Sequence, residues 1–293
     1  MKILIFGAGS IGVYLGTLLS SKGHDVELLG RNKLKKLHET IMIGDSFYKL
    51  PKRIYAIPKN TNYDIIFITS KLYDLEKNLK LVINNKLKSK FLVSIQNGIV
   101  EHSLYESFVK NFQFTTISVF EGFRLVENQL TISPSKTGWK TDNSSVGKYV
   151  CNLLAASGIN CSIDSDLDRI KAEKTVMNCS INLLSAIERK TFFELCHNKD
   201  TLMLIDMLFD ESYTALSKLV TMRSKDKLKK LFYETVSNMR HYSSTYQDAI
   251  SKRKSEIEFL NGLIIKLGKK YSLDTTENIK IVRKFIKMYG KSM

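Results

Sequence analysis

Two kinds of hydrophobic pattern divide this chain. Up to about residue 165, short apolar runs at 2–6, 25–29, 64–69, 91–95, 115–119, 130–133 and 160–163 alternate with amphipathic stretches. Such runs, rich in Ile, Leu, Val and Phe and bounded by Gly, Asn and Ser, read as buried strands. Helical periodicity occupies 13–21, a short piece at 34–39, the stretch from Lys71 to about Val82, and 145–156, while 41–58 reads as irregular. Strands alternating with helices predict a doubly wound parallel sheet. From about residue 166 the apolar period becomes 3.6, and helices are predicted at 167–188, 202–222, 226–240, 252–271 and 276–289. All three prolines (Pro51, Pro58, Pro134) precede this half, so none interrupts it. The pattern therefore predicts an α/β domain over 1–165 and an all-helical domain over 166–293. The cleft between two such domains is the default place for a small ligand.

The chain is 293 residues long and 43% apolar, enough for two cores of ordinary size. No apolar run reaches the roughly 18 residues of a membrane span. The apolar start is the first strand rather than a signal peptide, which points to the cytoplasm. Cys151, Cys161, Cys179 and Cys196 have no metal-binding spacing and read as free thiols in a reducing compartment. The five histidines are scattered, and no metal site is expected. A formal charge of +16 raises the question of nucleic acid. The excess is mostly lysine spread along the whole chain, with no nucleic-acid motif, so solvated faces explain it. The positive field would also draw in an anionic cofactor and substrate.

Gly7-Ala8-Gly9-Ser10-Ile11-Gly12 lies between the first strand and the first helix. In this G-x-G-x-x-G spacing the first glycine makes the tight turn and the second admits a pyrophosphate. The third lets helix and strand pack. The phosphate would sit on unpaired N–H groups at the helix start, where the helix dipole favours negative charge. At the end of the second strand, where an acid would hold a plain ribose, stand Gly30 and Arg31, with Lys33, Lys35 and Lys36 behind. A guanidinium pairs with a 2′-phosphate through two donors, so the expected cofactor is NADPH/NADP+ rather than NADH. A solvated surface arginine is the plainer alternative.

Lys174, Asn178 and Asn182 are spaced i, i+4, i+8 on a helix that is otherwise apolar nearly all round. Buried ammonium and amide groups need partners, so this stripe faces either a polar ligand or a structural hydrogen-bond network. Gln96-Asn97-Gly98 ends a parallel strand, the side on which open α/β sheets bind ligands, though Asn-Gly also makes ordinary turns. Ser243-Ser244-Thr245, followed by Glu256, is read as opening one helix that continues to Phe259, Leu260, Leu263 and Ile264. Capping and a surface carboxylate are the alternatives there. Lys71 is a phosphate partner or plain surface.

These residues resemble the ketopantoate reductase (2-dehydropantoate 2-reductase) family. The match is co-linear: GAGSIG at 7–12, Arg31, TSK ending at Lys71, QNG at 96–98, KxxxNxxxN at 174–182, SSxxQD at 243–248 and EIEFLNG at 256–262. The resemblance implies a Rossmann-type sheet with a helical domain like that of 6-phosphogluconate dehydrogenase. It implies NADPH-dependent reduction of 2-dehydropantoate to (R)-pantoate, on the route to pantothenate and coenzyme A. With no nucleic-acid or membrane partner expected from the charge and hydropathy pattern, the expected partner is a small 2-keto acid and the protein a monomer or homodimer. The resemblance further implies that Lys174 is the general acid and that Asn178, Asn182 and Ser244 bind substrate. Asn97 would lie near nicotinamide and substrate, and Glu256 would contact the cofactor ribose, help shape the site and raise the Lys174 pKa that burial lowers, so both count with Lys174 as catalytic. Lys71 would serve the cofactor, and Gly122 would lie against it. The chain departs from the family at Phe192-Phe193, at Ile117-Ser118-Val119-Phe120 and at His241. These departures bear on the substrate more than on the reaction type. A reductase of another small 2-keto or 3-hydroxy acid, or a non-catalytic NADPH-binding sensor, are the competing readings.

Overall fold

The computed structural model describes residues 1–99 and 112–290, with their side chains except those of Asn32 and Lys33. It divides into two compact units, Met1–Leu167 and Asp168–Met293.

Unit 1 begins with β1 (Lys2–Phe6), α1 (Ser10–Ser21), β2 (Asp25–Leu29) and α2 (Asn32–Lys35). Three short strands follow, β3 (Thr40–Ile43), β4 (Ser46–Lys49) and β5 (Lys52–Ile54). Next come β6 (Asn62–Ile68), a 3₁₀ turn at Leu72–Asp74, α3 (Leu75–Asn84) and β7 (Lys88–Ile95). The unit ends with β8 (Gln113–Val119), β9 (Gly122–Val126), β10 (Gln129–Ser133), β11 (Trp139–Thr141), α4 (Ser145–Ala156) and β12 (Cys161–Ile163).

The large sheet has the order β12-β11-β8-β7-β6-β1-β2-β5. From β8 to β5 every pair is parallel, whereas β11 runs antiparallel to β8 and carries β12 parallel to itself. The central strands are apolar on both faces: Ile3, Leu4, Ile5, Ile65, Ile66, Phe67 and Ile68 are fully buried. That is how strands of a parallel sheet covered on both sides read in sequence. Each such side chain contributes about 1.5–3 kcal/mol of burial, offset by the entropy of ordering the chain. The chain moves outward from β1 to β2, then crosses back to β6 on the other side of β1. This reversal puts a ligand crevice at the carboxyl end of β1.

A second sheet, β4-β3-β10-β9, corrects the expectation of an irregular 41–58 and adds a strand over 122–126. β3 and β4 form a hairpin in which Ile43 pairs with Ser46, and Gly44 adopts φ +59° in the turn. The strands were hidden because β4 and β9 are short and largely exposed or half-buried, so neither shows an apolar run. α1 packs on this sheet, with the Tyr14 and Phe123 ring centres 4.9 Å apart. The short helix expected at 34–39 is a single turn, Asn32–Lys35.

Unit 2 is all helix among its described residues: α5 (Leu167–Glu188), α6 (Phe192–Cys196), α7 (Lys199–Leu216), α8 (Lys225–Val236), α9 (Ser244–Ile250), α10 (Asn261–Tyr271) and α11 (Thr276–Tyr289). Three expectations change, and the first is that the helix expected over 226–240 stops at Val236. The helix expected over 202–222 starts at Lys199, where the Asn198 side chain accepts from Thr201 N–H, and stops at Leu216. The helix expected from 252 begins at Asn261 and is separate from α9. Lys252 at φ +50° and the Arg253–Asp248 pair (Nε to Oδ1, 3.0 Å) turn the chain into a loop with a 3₁₀ turn at Ile257–Phe259. Among the described residues no helix is long and apolar enough to cross a membrane.

Candidate active site

In unit 1 the glycine turn is built from close backbone contacts. Gly7 adopts φ +131°, a value that disfavours any side chain. Its carbonyl accepts from Thr69 Oγ1 at 2.7 Å, and a Cβ on Gly12 would lie 1.8 Å from that carbonyl oxygen. Gly12 is therefore the point where α1 closes onto the end of β1. Gly9 differs: a Cβ there would meet nothing within 4 Å. It is also the N-cap of α1, with no side-chain cap and no acidic residue in the first turn. The space over Gly9 thus lies at the start of α1 with the helix dipole behind it, which suits a pyrophosphate. Ala8, Ser10 and Ile11 complete the loop and are half-buried. These residues fit a dinucleotide.

The neighbouring loops converge on this turn. Thr69 N–H donates to Phe6 O (3.1 Å), which fixes the loop after β6 against the end of β1. Gln96, at the end of β7, donates from its amide to Ile68 O (2.8 Å) and Ser70 O (3.2 Å), and accepts from Ser94 Oγ. Gln96 is a brace that holds Asn97, half-buried, beside the β6 loop, and Gly98 follows at φ +87°. Lys71 starts the 3₁₀ turn of that loop and is half-buried. Arg31 extends from the end of β2 with its side chain 90% exposed, and its Nη2 lies 3.8 Å from Asp74 Oδ2. Asp74 had no signal in the sequence, because it lies 43 residues away on another loop. Lys35 and Lys36 are exposed, and the Lys33 side chain lies outside the described ones. Gly122 opens β9 in the second sheet, where it pairs with Ser133, and a Cβ there would touch Ser133 Cβ at 3.2 Å.

In unit 2 the Lys174, Asn178 and Asn182 stripe lies on α5. Lys174 and Asn178 are half-buried and Asn182 is buried. Although some of the Lys174 side chain remains accessible, its ammonium lies among enough protein atoms to be desolvated. Burial lowers its pKa from 10.5 to about 8, with Glu256 raising it and Lys171, one turn earlier, lowering it. Glu173, next in sequence, is directed elsewhere: it pairs with Arg169 (3.3 Å) and Arg223 (3.5 Å). The acid that acts on Lys174 is therefore Glu256, itself buried.

Two anchors set Glu256 against α5. Ser243 donates from Oγ to Asn182 O (2.8 Å) and from N–H to Ser185 Oγ (3.1 Å). Asn261 donates to Cys179 O (2.8 Å) and to Asn278 Oδ1 (2.9 Å). Glu256 lies between these anchors along the chain. Ser243, Asp248 and Asn261 thus give the SSxxQD and EIEFLNG segments a positioning role that periodicity did not reveal. Ser244, the first residue of α9, is exposed.

The departures at Phe192, Phe193 and His241 form one cluster. Phe192 N–H donates to His241 O (3.2 Å) and Phe193 N–H to Met239 O (2.9 Å). The Phe192 and His241 ring centres are 5.2 Å apart. Phe193 stacks on His197 at 4.1 Å and takes the Arg240 guanidinium at 4.3 Å.

Comparison with known proteins adds a family match. Residues 3–133 match the model described as "Ketopantoate reductase PanE/ApbA", and residues 166–288 its C-terminal counterpart. The chain is 27% identical to a 2-dehydropantoate 2-reductase of Aquifex aeolicus, covering 98% of this chain and 96% of that one. It is 22% identical to a 2-dehydropantoate 2-reductase of Archaeoglobus fulgidus, covering 94% of each. Among solved structures it resembles a ketopantoate reductase of Ralstonia eutropha with TM-score 0.87, 20% identity and coverage of 100% and 99%. A D-mandelate dehydrogenase solved with NADH and anilino(oxo)acetate has TM-score 0.83, 21% identity and 98% coverage of both chains.

Proposed function

Because the chain belongs to the ketopantoate reductase family, we propose that it reduces 2-dehydropantoate to (R)-pantoate with NADPH, on the route to pantothenate and coenzyme A. The observation that carries the reading is the desolvated Lys174 ammonium, its pKa lowered to about 8 and opposed by Glu256. A lysine at its ordinary value of about 10.4 is a poor proton donor near neutrality. A donor whose pKa lies near the working pH is typically worth roughly 10²–10⁴ in rate.

NADPH, when held there, would supply a hydride to the carbonyl carbon. Lys174 then gives its proton to the carbonyl oxygen, where negative charge develops, and the resulting amine takes a proton back from solvent. Asn178, Asn182 and Ser244 are neutral donors suited to the substrate carboxylate and hydroxyl, so they orient it without competing with Lys174 for charge. Asn97 orients the nicotinamide and the substrate, and Glu256, besides holding the ammonium to its proton, contacts the cofactor ribose. Gly7 to Gly12 cradle the pyrophosphate. Lys71 would serve the cofactor, Gly122 would lie against it, and Arg31 would receive the 2′-phosphate. The working compartment on this reading is the cytoplasm.

The departures from the family at Phe192, Phe193 and His241 carry a second reading, in which the substrate is another small 2-keto acid. Steady-state loss of NADPH absorbance over a panel of 2-keto acids, with NADH run beside it, decides between them. Highest kcat/KM for ketopantoate supports the first reading. Highest kcat/KM for a different 2-keto acid supports the second. Tight NADPH binding with no turnover of any keto acid would leave a sensor and overturn both.

A further inference from the structure

Arg31 and Asp74 come from the loops that follow β2 and β6, the two strands that flank β1 in the large sheet. Their closest approach, 3.8 Å, is that of an ion pair without a hydrogen bond. Asp74 stands at the N-terminus of α3, where an aspartate commonly caps the helix, yet its side chain makes no cap hydrogen bond. Its carboxylate lies by Arg31 instead. Position 30, where an acid would accept from ribose hydroxyls, cannot take over that role. A Cβ there would lie 2.5 Å from Ala8 Cβ and 2.9 Å from Leu34 Cδ2. Asp74 is thus the carboxylate that the fold presents to the cation at this end of the crevice.

We propose that Asp74 is a specificity-determining residue for the cofactor: its carboxylate competes with the 2′-phosphate for the Arg31 guanidinium and so narrows the preference for NADPH over NADH. This rests on the reading that Arg31 receives the 2′-phosphate. A phosphate offers more charge and a bidentate fit, so it displaces the long, one-sided contact with Asp74. The displaced carboxylate then stays close to a second anion, and NADPH binding carries that repulsion. A ribose with a free 2′-hydroxyl leaves the Arg31–Asp74 pair undisturbed. Asp74 acts through Arg31 and is a positioning residue in this scheme.

The test measures dissociation constants of NADP+ and NAD+ on the full-length protein, as parent, Asp74→Asn, Asp74→Glu, Arg31→Ala and the Arg31→Ala/Asp74→Asn double variant. Asp74→Asn is expected to tighten NADP+ about two- to fivefold, the range spanned by exposed ion pairs, and to leave NAD+ unchanged. Asp74→Glu keeps the parent ratio, and the gain disappears in the Arg31→Ala background. A ratio unmoved by Asp74→Asn but collapsed by Arg31→Ala overturns the role of Asp74 alone. A gain that persists without Arg31 overturns the competition. A ratio unmoved by Arg31→Ala overturns the NADPH reading and this proposal with it.

Discussion

Glu256 holds the Lys174 ammonium to its proton against a burial that favours its release. The two residues are 82 positions apart, and the fold brings them together through Ser243 and Asn261, which tie the chain on both sides of Glu256 to backbone carbonyls of α5. Desolvation is the larger influence, so the net shift is downward, to about 8. On the proposed reading, the pair makes Lys174 a donor that is protonated at neutral pH and still able to release its proton.

Removal of the ammonium should therefore cost chemistry more than binding. Lys174→Ala is expected to lower kcat at least about a hundredfold on ketopantoate, with the dissociation constant of NADPH little changed. Single-turnover kinetics beside cofactor titration separates the two quantities. Near-full turnover in the variant removes Lys174 from the reaction.

The pH profile follows from the same pair, and its sign is fixed. A general acid must be protonated, so kcat/KM should fall as pH rises through about 8, the Lys174 value. Glu256 raises that value, and Glu256→Gln should lower it. The alkaline limb of the variant is expected at lower pH than that of the parent, with Lys174 still present. A limb that stays in place or moves upward contradicts the coupling.

The same shift predicts a trade of stability for function. The folded-state pKa of Lys174 is about 8 against 10.5 for the free group, so below pH 8 burial of the charge weakens the fold. Between those two values the folded chain sheds a proton that the unfolded chain keeps, and the penalty fades. Replacing both partners, as Lys174→Met/Glu256→Gln, avoids leaving a buried carboxylate without its cation. The double variant is expected to be inactive yet more stable than the parent at pH 7, by on the order of 1 kcal/mol. Its advantage should shrink as pH rises from about 8 toward 10. Urea denaturation at both pH values reads this out, and a less stable double variant at pH 7 counts against it.

What the sequence revealed depended on how local each signal was. The β1–glycine–α1–β2 unit could be read directly, because apolar strands, a turn at Gly7 and a helix apolar on its inner face are all encoded within 29 residues. β3, β4 and β9 could not, since strands of four or five half-exposed residues have no distinctive period. The stop of α9 rests on a positive φ at Lys252, a non-glycine residue whose type gives no warning. The Lys/Asn stripe on α5 was plain from its spacing, but the partner of Lys174 was not. Periodicity gives faces and not long-range neighbours, and only the resemblance linked Glu256 to Lys174. The Arg31–Asp74 contact had no signal at either level.

The glycine turn offers a separation of folding from binding. A Cβ at Gly12 would lie 1.8 Å from Gly7 O and 2.6 Å from Thr69 Oγ1, and the first contact is to backbone that cannot move aside cheaply. Gly12→Ala is therefore expected to destabilise unit 1 by about 3 kcal/mol or more, in the range of severe overpacking. Gly9 has φ −78° and ψ −177°, which alanine adopts without strain, and its Cβ would meet no protein atom within 4 Å. Gly9→Ala should thus fold with a melting temperature within a few degrees of the parent, since surface changes of this kind stay within about 0.5 kcal/mol. The added methyl would instead stand in the space proposed for the pyrophosphate, and NADPH affinity should fall at least about tenfold, a loss of about 1.4 kcal/mol. Thermal unfolding and cofactor titration on the two variants check both halves. Unimpaired NADPH binding by Gly9→Ala would place the dinucleotide elsewhere on the chain.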